Sequence, residues 1–352
     1  MPFTVFIWYI TSHSVDIVSL HIYLFIVFES GTGKTGGITC TYDFTKTATE
    51  TVRNETCTDS GTEGYYTHPS FTFGNNELTG FWMGKFEISS ETPSASNGGG
   101  SSTTLTPRIL PNVVSWRDNL LSNQWKVIKD MQVTNNIYGL DTNTTVVDTH
   151  MLTNMEWGAV AYLTHSKYGR CTGGETSTCT EVTINSNSSY TTGYSNSTSN
   201  PYTTPNGQLA STTGNIYGVY DMIGGSYEYV MGNVSSASGS YTYNASSAGS
   251  NYTYSGNEKY VTPYAYGSSN ADQTAYNRGR LGDATSEVVL TATGISGWYS
   301  DYPYFPRSSY PWFDRGGYYD EGGYAGVFSF YSITGNSIIS RSSRGALAVF
   351  SA

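Results

Sequence analysis

The amino-acid sequence predicts an α+β fold in which two helices accompany many short strands and long polar loops. Runs of aromatic and β-branched residues punctuated by glycine, most clearly over 214–232, indicate turns and short strands. Helical periodicity is confined to two stretches, 113–131 and 153–169. Long segments rich in Ser, Thr, Asn, Gly and Tyr, at 170–213 and 233–257, indicate surface loops.

The first 28 residues are apolar and aromatic, but His13, Asp16 and His21 interrupt them. A membrane-spanning helix needs about 20 mostly apolar residues. A signal peptide has a basic segment before its apolar core, and the first Lys or Arg here is Lys34. Residues 1–28 are therefore predicted to form buried or edge strands, with a membrane anchor and a wrongly assigned start as the alternatives.

Residues 29–35, ESGTGKT, resemble a phosphate-binding loop at first reading. The pattern of such a loop requires Gly at the position that Phe28 occupies. The two glycines at 36 and 37 then favour a turn over the helix that should follow. A nucleotide-binding site is therefore not predicted here.

The four cysteines fall into two local pairs, Cys40 with Cys57 and Cys171 with Cys179. The Thr-rich alternation over 38–66 predicts a strand pair that the first of these pairs would link. Local pairing without zinc-type spacing favours two small disulfides in an oxidising or extracellular setting. Free buried thiols are the alternative.

Two helices are predicted between these regions. The first covers 113–131, where apolar residues recur near the helical period. The second begins at Thr153, which forms a capping box with Glu156. Its buried face is predicted to comprise Trp157, Val160, Ala161 and Thr164. His150 and His165 lie near its ends, where a single histidine is typically a cap or a surface residue.

The charge balance argues against one class of partner. Seventeen basic residues against twenty-seven acidic ones give a net charge of -10, which repels a phosphate backbone. Binding to nucleic acid is therefore not expected. The 31 tyrosines stand among abundant Ser, Gly and Asn, the combination that protein binding loops use.

Several segments resemble, in the same order along the chain, motifs of the formylglycine-generating enzyme (sulfatase-modifying factor) family. Residues 81–88 resemble its MGKYEVT strand, and 153–161 resemble its PTEAEWEYAAR helix. Residues 214–232 resemble its GLYDMxGNVWEW signature. The end of the chain carries similar matches to RGGSW and to GFRxVL, at Arg315-Gly316-Gly317 and at Arg344 with Ala346-Leu347.

The resemblance implies a C-type-lectin-like fold of the formylglycine-generating-enzyme subclass over residues 65–352, with two helices, short antiparallel strands and long loops. Residues 1–64 would then be a strand-rich N-terminal extension. Asp221 and Glu228 lie within apolar runs, and burying such acids is costly unless their oxygens are satisfied. Backbone amides are predicted to satisfy both.

An active member of that family would carry a copper-binding cysteine pair in its C-terminal half. No cysteine follows Cys179, so this oxidase activity is not expected. A divergent enzyme of this type is one alternative function, and a structural virion or pilus component is another. No cofactor is predicted, although the composition is compatible with structural calcium, for which no residue is assigned.

The C-terminal tail resembles a different pattern, the variable region of target proteins of diversity-generating retroelements. Those proteins are lectin-fold ligand binders in which RGG precedes positions derived from Asn codons. Adenine mutagenesis of such codons gives residues like Tyr, Ser, Asp, Ile, Phe, Thr and Gly, but never Lys, Gln, Glu, Met or Trp. Residues 318–343 fit if Glu321 is a fixed position, which predicts a variable region at about 312–350.

The predicted function is therefore non-catalytic recognition by a phage tail-associated or bacterial surface adhesin that displays this tail. Its partner would be a cell-surface protein or glycan, its location extracellular, on a virion or on a bacterial surface. Membrane insertion is not expected, and the sequence is compatible with an oligomer. The predicted ligand-binding residues are Tyr318, Tyr319, Asp320, Tyr324, Ser329, Tyr331, Ser332, Thr334, Asn336, Ile338, Ile339 and Arg341.

Overall fold

The computed structural model covers most of the chain from residue 68 onward and three earlier strands. It describes residues 25–29, 39–46, 51–58, 68–78, 80–90, 97–100, 102–166, 168–172, 178–196, 199–238, 241, 245–267, 278–280, 282–291, 294–297 and 299–350. Predictions for residues 1–24, and for most of the ESGTGKT segment, lie outside these ranges.

The described residues form a mixed α+β fold with few helices and many short strands, as predicted. The α-helices are α1 (Leu121–Lys129), α2 (Asn154–Thr164), α3 (Pro205–Gln208) and α4 (Ala245–Ala248). The strands are β1 (Phe25–Glu29), β2 (Thr39–Lys46), β3 (Thr51–Thr58), β4 (Thr72–Phe73), β5 (Asn76–Glu77), β6 (Gly80–Gly84), β7 (Ser89–Ser90), β8 (Asn97–Gly100), β9 (Pro107–Arg108), β10 (Arg117–Asn119), β11 (Val147–Met151), β12 (Cys171–Thr172), β13 (Thr178–Cys179), β14 (Tyr227–Val234), β15 (Thr262–Tyr264), β16 (Val288–Thr291), β17 (Gly294–Gly297), β18 (Trp312–Arg315), β19 (Phe330–Ile333), β20 (Arg341–Ser343) and β21 (Gly345–Val349).

A four-stranded antiparallel sheet joins distant parts of the chain in the order β1-β6-β21-β11. The strand nearest the C-terminus, β21, lies between β6 and β11, so the end of the chain is held in the middle of this sheet. The earliest described strand, β1, lies at its edge, in agreement with the predicted edge strand. Whether the N-terminal extension ends at residue 64 stays a prediction.

A five-stranded mixed sheet is built around β14. Strand β18 pairs with β14 antiparallel and β19 pairs with β18, while β15 and β20 run parallel to β14 along its other side. The register aligns Tyr229 with Asp314 and Asp314 with Tyr331. It also aligns Tyr227 with Arg341. Three strands of the tail therefore surround the glycine-rich signature segment.

The remaining strands form two-stranded ladders. Antiparallel pairs join β2 with β3, β4 with β5, β7 with β9, β12 with β13 and β16 with β17, and a parallel pair joins β8 with β10. The strand pair predicted over 38–66 is confirmed by β2 and β3. Their register places Cys40 opposite Cys57.

The prediction of a helix over 113–131 is wrong for residues 113–120. Helix α1 begins only at Leu121, after β10. The backbone N–H of Ser115 donates to Tyr190, and that of Trp116 donates to Ile88. Backbone groups that bond to distant segments cannot also bond within a helix, so tertiary pairing overrides the local period.

The first of the two strands predicted within 214–232 is also absent among the described residues. Residues 219–223 run as bends and extended chain, and only β14 forms. Asp221 has φ of 61°, a left-handed conformation that no strand accommodates. The N–H of Tyr220 donates to Lys85, and that of Gly225 donates to Asn185, so this segment bonds to loops.

Helix α2 has the predicted start and buried face, but it ends at Thr164 and not at the predicted Gly169, because the Thr164 carbonyl accepts from the Arg170 N–H of the following turn. The hydroxyl of Thr153 accepts from the Glu156 backbone N–H at 3.2 Å, and the Glu156 carboxylate accepts from the Thr153 backbone N–H at 2.8 Å. The predicted face of Trp157, Val160, Ala161 and Thr164 is fully buried. His165 is the C-terminal cap, and its N–H donates to Ala161.

Replacing Thr153 with alanine is expected to lower the free energy of unfolding by about 1 kcal/mol. The Glu156 backbone N–H would lose its acceptor, and the Glu156 carboxylate would lose the Thr153 hydroxyl as a donor. Urea denaturation of the purified chain measures this. Thr144→Ala is the matched control, since Thr144 is exposed in a loop. A Thr153→Ala midpoint equal to that of the control would contradict the capping role.

Aromatic side chains fill the space between the sheets and helices. The largest fully buried side chains include Trp116, Trp157, Trp312, Tyr229, Tyr264, Phe81, Phe86 and Phe305. Within the described ranges, none of the helices has the length and apolar character required to cross a membrane.

Candidate functional site

Three tyrosines stack on one side of the five-stranded sheet. The chain at Tyr302 and Tyr304 bonds to the backbone of Phe330 at 3.0 and 2.9 Å, which places it beside β19. Because alternate residues of an extended chain point the same way, Tyr302 and Tyr304 flank Tyr331. The Tyr304 and Tyr331 rings are stacked with centroids 4.8 Å apart, and Tyr302 stacks on Tyr331 at 5.9 Å.

A second group of tyrosines lies around the start of β14. Tyr227 stacks on Tyr318 with ring centroids 5.3 Å apart, and Tyr318 meets Tyr319 edge-on at 5.2 Å. Tyr190, from the polar loop before the signature segment, meets Tyr319 edge-on at 5.0 Å. The guanidinium of Arg117 lies 3.8 Å from the Tyr190 ring centre, a cation–π contact.

The turn that contains Glu321 and Tyr324 connects the two groups. The Tyr227 hydroxyl donates to the Glu321 carboxylate, and the Tyr324 ring meets the Tyr302 ring edge-on at 5.9 Å. We call the combined surface the tyrosine face. It comprises Tyr190, Tyr227, Tyr302, Tyr304, Tyr318, Tyr319, Tyr324 and Tyr331, all of them half-buried or exposed.

A buried ion pair supports the tyrosine face from beneath. Arg341 donates from Nε to Asp314 Oδ2 at 2.7 Å, and its guanidinium lies 4.8 Å from the Tyr227 ring centre. Burial is the largest single effect and lowers the pKa of Arg341, but Asp314, Tyr229 and Tyr227 together outweigh it, so that the pKa is raised. Asp314 is aligned with Tyr331 on the neighbouring strand β19. The ion pair therefore lies next to Tyr331 of the first tyrosine group and Tyr227 of the second.

The predicted ligand-binding residues divide into two sets in the structure. Ser329, Ser332 and Arg341 are buried, so their side chains support the sheet and do not reach the surface. The side chains that are half-buried or exposed are those of Tyr318, Tyr319, Asp320, Tyr324, Tyr331, Thr334, Asn336, Ile338 and Ile339. Ligand contact by this second set remains a prediction.

The loop between β19 and β20 carries the last four of these residues. Thr334 donates from its hydroxyl to the Asn336 side chain at 2.9 Å, and Ile338 packs against the core. Ile339 is 57% exposed, and its carbonyl accepts from Arg117. Since Arg117 also contacts Tyr190, the loop is connected to the tyrosine face.

Sequence reasoning missed four members of the face, Tyr190, Tyr227, Tyr302 and Tyr304. The alternation in Tyr302-Pro303-Tyr304 is a usable signal, because it places both rings on one side of an extended segment. For Tyr190 no local signal exists. Its position results from the pairing of its loop with the chain at Ser115.

Two acids lie directly behind the tyrosine face. Asp301 is buried, and its Oδ2 accepts from the Phe328 N–H at 2.9 Å. Burial raises the pKa of Asp301 to about 8, and burial likewise raises the pKa of the neighbouring Glu181 to about 7. The positive charge of Arg315 lowers the pKa of Asp301, but by less than burial raises it. Both carboxyls therefore hold protons near neutral pH.

These shifts predict that stability falls as pH rises from 6.5 to 8. The unfolded carboxyls lose their protons near pH 4, so across this window the folded chain binds more protons than the unfolded chain. His68 and His165, whose pKa burial lowers to about 4, are neutral in the folded chain but still bind protons in the unfolded chain near pH 6.5. They oppose the slope at the start of this window and have little effect above about pH 7.5. The thermal midpoint should therefore be lower at pH 8.

Asp301→Asn should flatten this slope, since an amide does not ionise. Some slope will remain, because burial also raises the pKa of Glu181 to about 7 and, with a smaller effect in this window, that of Asp221 to about 6. Asp320→Asn is the control, as Asp320 is exposed on the same face. Equal slopes for Asp301→Asn and the parent chain, measured by calorimetry, would exclude Asp301 as a source.

A buried cluster of acids confirms one prediction about the signature segment and corrects another. Asp221 accepts from the backbone N–H of Gly193 at 2.8 Å and from the side-chain amide of Asn185 at 2.9 Å, so the predicted backbone contact is present and a side chain adds to it. Glu228 is satisfied instead by Arg344, which donates from Nε at 3.0 Å and also from Nη2. The prediction of backbone amides for Glu228 was therefore wrong.

A third acid, Glu87, belongs to the same cluster and is buried. One of its carboxylate oxygens accepts from the Ser226 N–H at 2.8 Å. Burial raises its pKa, and the charges of Asp221 and Glu228 raise it further. These acids share the single guanidinium of Arg344, so the cluster is a structural network within the core.

One group of potential metal ligands occurs among the described residues. Cys171 and Cys179 form a disulfide, so for this pair the predicted disulfide is confirmed and the alternative of free thiols is excluded. A ring nitrogen of His165 and the two sulfurs lie within 4.8 Å of one another. This histidine is thus both a helix cap and a neighbour of the disulfide.

Comparison with known proteins adds no assignment. No known protein-family model matches the chain, and no curated protein sequence is significantly similar to it.

Proposed function

We propose that this protein is a non-catalytic ligand-binding protein with a C-type-lectin-like fold, and that the tyrosine face is its binding surface. The observation that carries the proposal is the convergence of tyrosines from four separate segments on one side of the sheet. Tyrosine provides a large, rigid contact area with a polar end and loses little conformational entropy when it binds. Half-buried rings held by stacking are pre-organised, which favours affinity.

The chemistry of the face suits a cell-surface protein or glycan. Aromatic rings pack against apolar side chains or sugar rings, while Asp320, Thr334 and Asn336 offer hydrogen bonds at its margin. The Cys171–Cys179 disulfide supports an extracellular, virion or bacterial surface location, because disulfides persist in oxidising settings. A phage tail-associated protein or a bacterial adhesin fits these features.

The proposal also holds that the tail is a diversified region. The half-buried or exposed tail residues Tyr318, Tyr324, Tyr331 and Ile339 are of types that adenine mutagenesis of Asn codons can generate. Phe328 and Ser332 belong to the same set of residue types but are buried, so the proposal counts them as fixed core positions. In a protein that varies its surface on a fixed core, only the accessible tail positions are expected to vary.

Sequencing the DNA around the gene tests this part of the proposal. We expect a reverse-transcriptase gene and a near copy of the codons for residues 312–350, with adenines at the codons of the exposed tyrosines. A flanking region without such a copy would contradict diversification. Binding itself is tested separately, by incubating the labelled full chain with glycan arrays and intact bacterial cells.

A further inference from the structure

The disulfide hairpin beside the end of α2 is held in place independently of its sulfurs. The Cys171 N–H donates to the Ser166 carbonyl at 3.1 Å, and the Thr180 N–H donates to the Arg170 carbonyl at 3.0 Å. The Arg170 N–H in turn donates to Thr164, in the last turn of α2. Breaking the disulfide would therefore leave Cys171 and Cys179 close to the helix end.

His165 is oriented toward this hairpin by aromatic packing. Its ring lies 5.0 Å from the Tyr299 ring and 4.9 Å from the Phe328 ring, measured between centroids. The imidazole is half-buried, Cys171 is buried and Cys179 is half-buried. Cys179 and the imidazole are thus partly open to solvent, which gives a small reductant a route toward the disulfide.

The distances match a tetrahedral metal site with a small adjustment. The imidazole nitrogen and the two sulfurs lie within 4.8 Å of one another. Zinc binds thiolates at about 2.3 Å and imidazole at about 2.0 Å, so tetrahedral ligands stand roughly 3.5 Å apart. The imidazole must approach by about 1 Å, and the sulfurs must separate from bonding distance, as reduction requires.

We infer that reduction of the Cys171–Cys179 disulfide creates a zinc site formed by both thiolates and His165. A thiol or phosphine reductant supplies two electrons, the S–S bond breaks, and each sulfur takes up one proton. Zn²⁺ then displaces the two thiol protons and accepts a lone pair from the imidazole. Water completes the fourth position, because the described residues offer three ligands.

This site would hold the hairpin before the chain meets an oxidant. The thiols are the form expected where proteins are synthesised, and the disulfide is the form expected outside the cell. The metal would thus hold the hairpin where the protein is synthesised, and the disulfide would hold it outside the cell. The inference does not depend on ligand binding by the tyrosine face.

Cobalt substitution of the full chain tests the inference. The Cys40→Ser/Cys57→Ser background leaves only the pair of interest. This protein is reduced with a phosphine, which takes up oxygen from water to form its oxide, desalted under argon and titrated with Co²⁺. We expect thiolate-to-cobalt charge-transfer absorption that saturates at one equivalent, disappears on adding Zn²⁺ and is absent from the oxidised chain.

Variants separate the three ligands. Cys171→Ser and Cys179→Ser should each weaken cobalt binding strongly, and His165→Ala should weaken it at least about tenfold. His165→Cys should restore binding, because it replaces the imidazole with a third thiolate. Circular dichroism of the reduced, metal-free chain shows whether the fold persists.

Three results would overturn the inference. They are absence of the charge-transfer band in the reduced chain, unchanged cobalt affinity in His165→Ala, and loss of folded structure on reduction.

Discussion

Replacing Arg344 with methionine is expected to lower the free energy of unfolding by about 3–5 kcal/mol, the cost of leaving a buried charge unpaired. Arg344 and Glu228 both have fully buried side chains. The guanidinium also donates to the carbonyls of Gly84 and Tyr220, each at 2.8 Å. Methionine has similar length but no donors, so the carboxylate and both carbonyls would lose their partner.

Chemical denaturation measures this effect, and two further variants locate its origin. Arg280→Met is the matched control, because Arg280 is exposed and surface substitutions usually change stability by less than about 0.5 kcal/mol. Arg344→Met/Glu228→Gln should recover part of the loss, since the amide carries no charge. The Arg344→Met deficit should also shrink at low pH, where Glu228 takes up a proton. A single-variant loss under about 1 kcal/mol would contradict the role of this pair.

Replacing Tyr324 with alanine is expected to weaken ligand binding about 30-fold while leaving the fold intact. An aromatic anchor at the centre of an interface contributes about 2 kcal/mol, and about 1.4 kcal/mol corresponds to a tenfold change in affinity. The Tyr324 side chain is 53% exposed and makes one edge-on ring contact, with Tyr302, so its removal should lower stability by at most about 1 kcal/mol.

Tyr331→Ala should weaken binding similarly, but with a measurable cost in stability. Tyr331 stacks on both Tyr302 and Tyr304, and an aromatic pair contributes about 0.5–1.5 kcal/mol beyond its buried area. Tyr324 is therefore the cleaner position at which to separate binding from folding.

The measurement is attachment of labelled full-length chain to the cell or glycan found in the binding screen. Tyr217→Ala is the matched control, because Tyr217 is 47% exposed and lies outside the tail. If Tyr324→Ala and Tyr331→Ala attach as well as the control does, the tyrosine face is not the binding surface. A large drop in the melting temperature of Tyr324→Ala would assign that tyrosine to the scaffold.

Helix α2 shows what local sequence can establish. Its cap and its buried face follow from residues within a few positions of one another, because a helix bonds to itself. Helix α1 shows the opposite case. The same apolar period extends back to residue 113, but the backbone at Ser115 and Trp116 bonds to segments far away in sequence.

The tail shows the same division within the candidate site. Its composition predicted a Tyr-rich surface, and the structure places Tyr318, Tyr319, Tyr324 and Tyr331 together. Composition could not indicate that Ser329, Ser332 and Arg341 point inward, since strand pairing decides which side chains face the core.

The α+β class, the start and buried face of helix α2, the hairpin of β2 with β3 and the concentration of tyrosine in the tail could be predicted from the amino-acid sequence. These follow from periodicity, capping and composition, which are local properties. The pairing of Arg344 with Glu228, the addition of Tyr190 and Tyr302 to the tyrosine face and the position of His165 beside a disulfide are visible only in the folded chain. Such contacts join residues distant in sequence, and their geometry is set by strand register and packing.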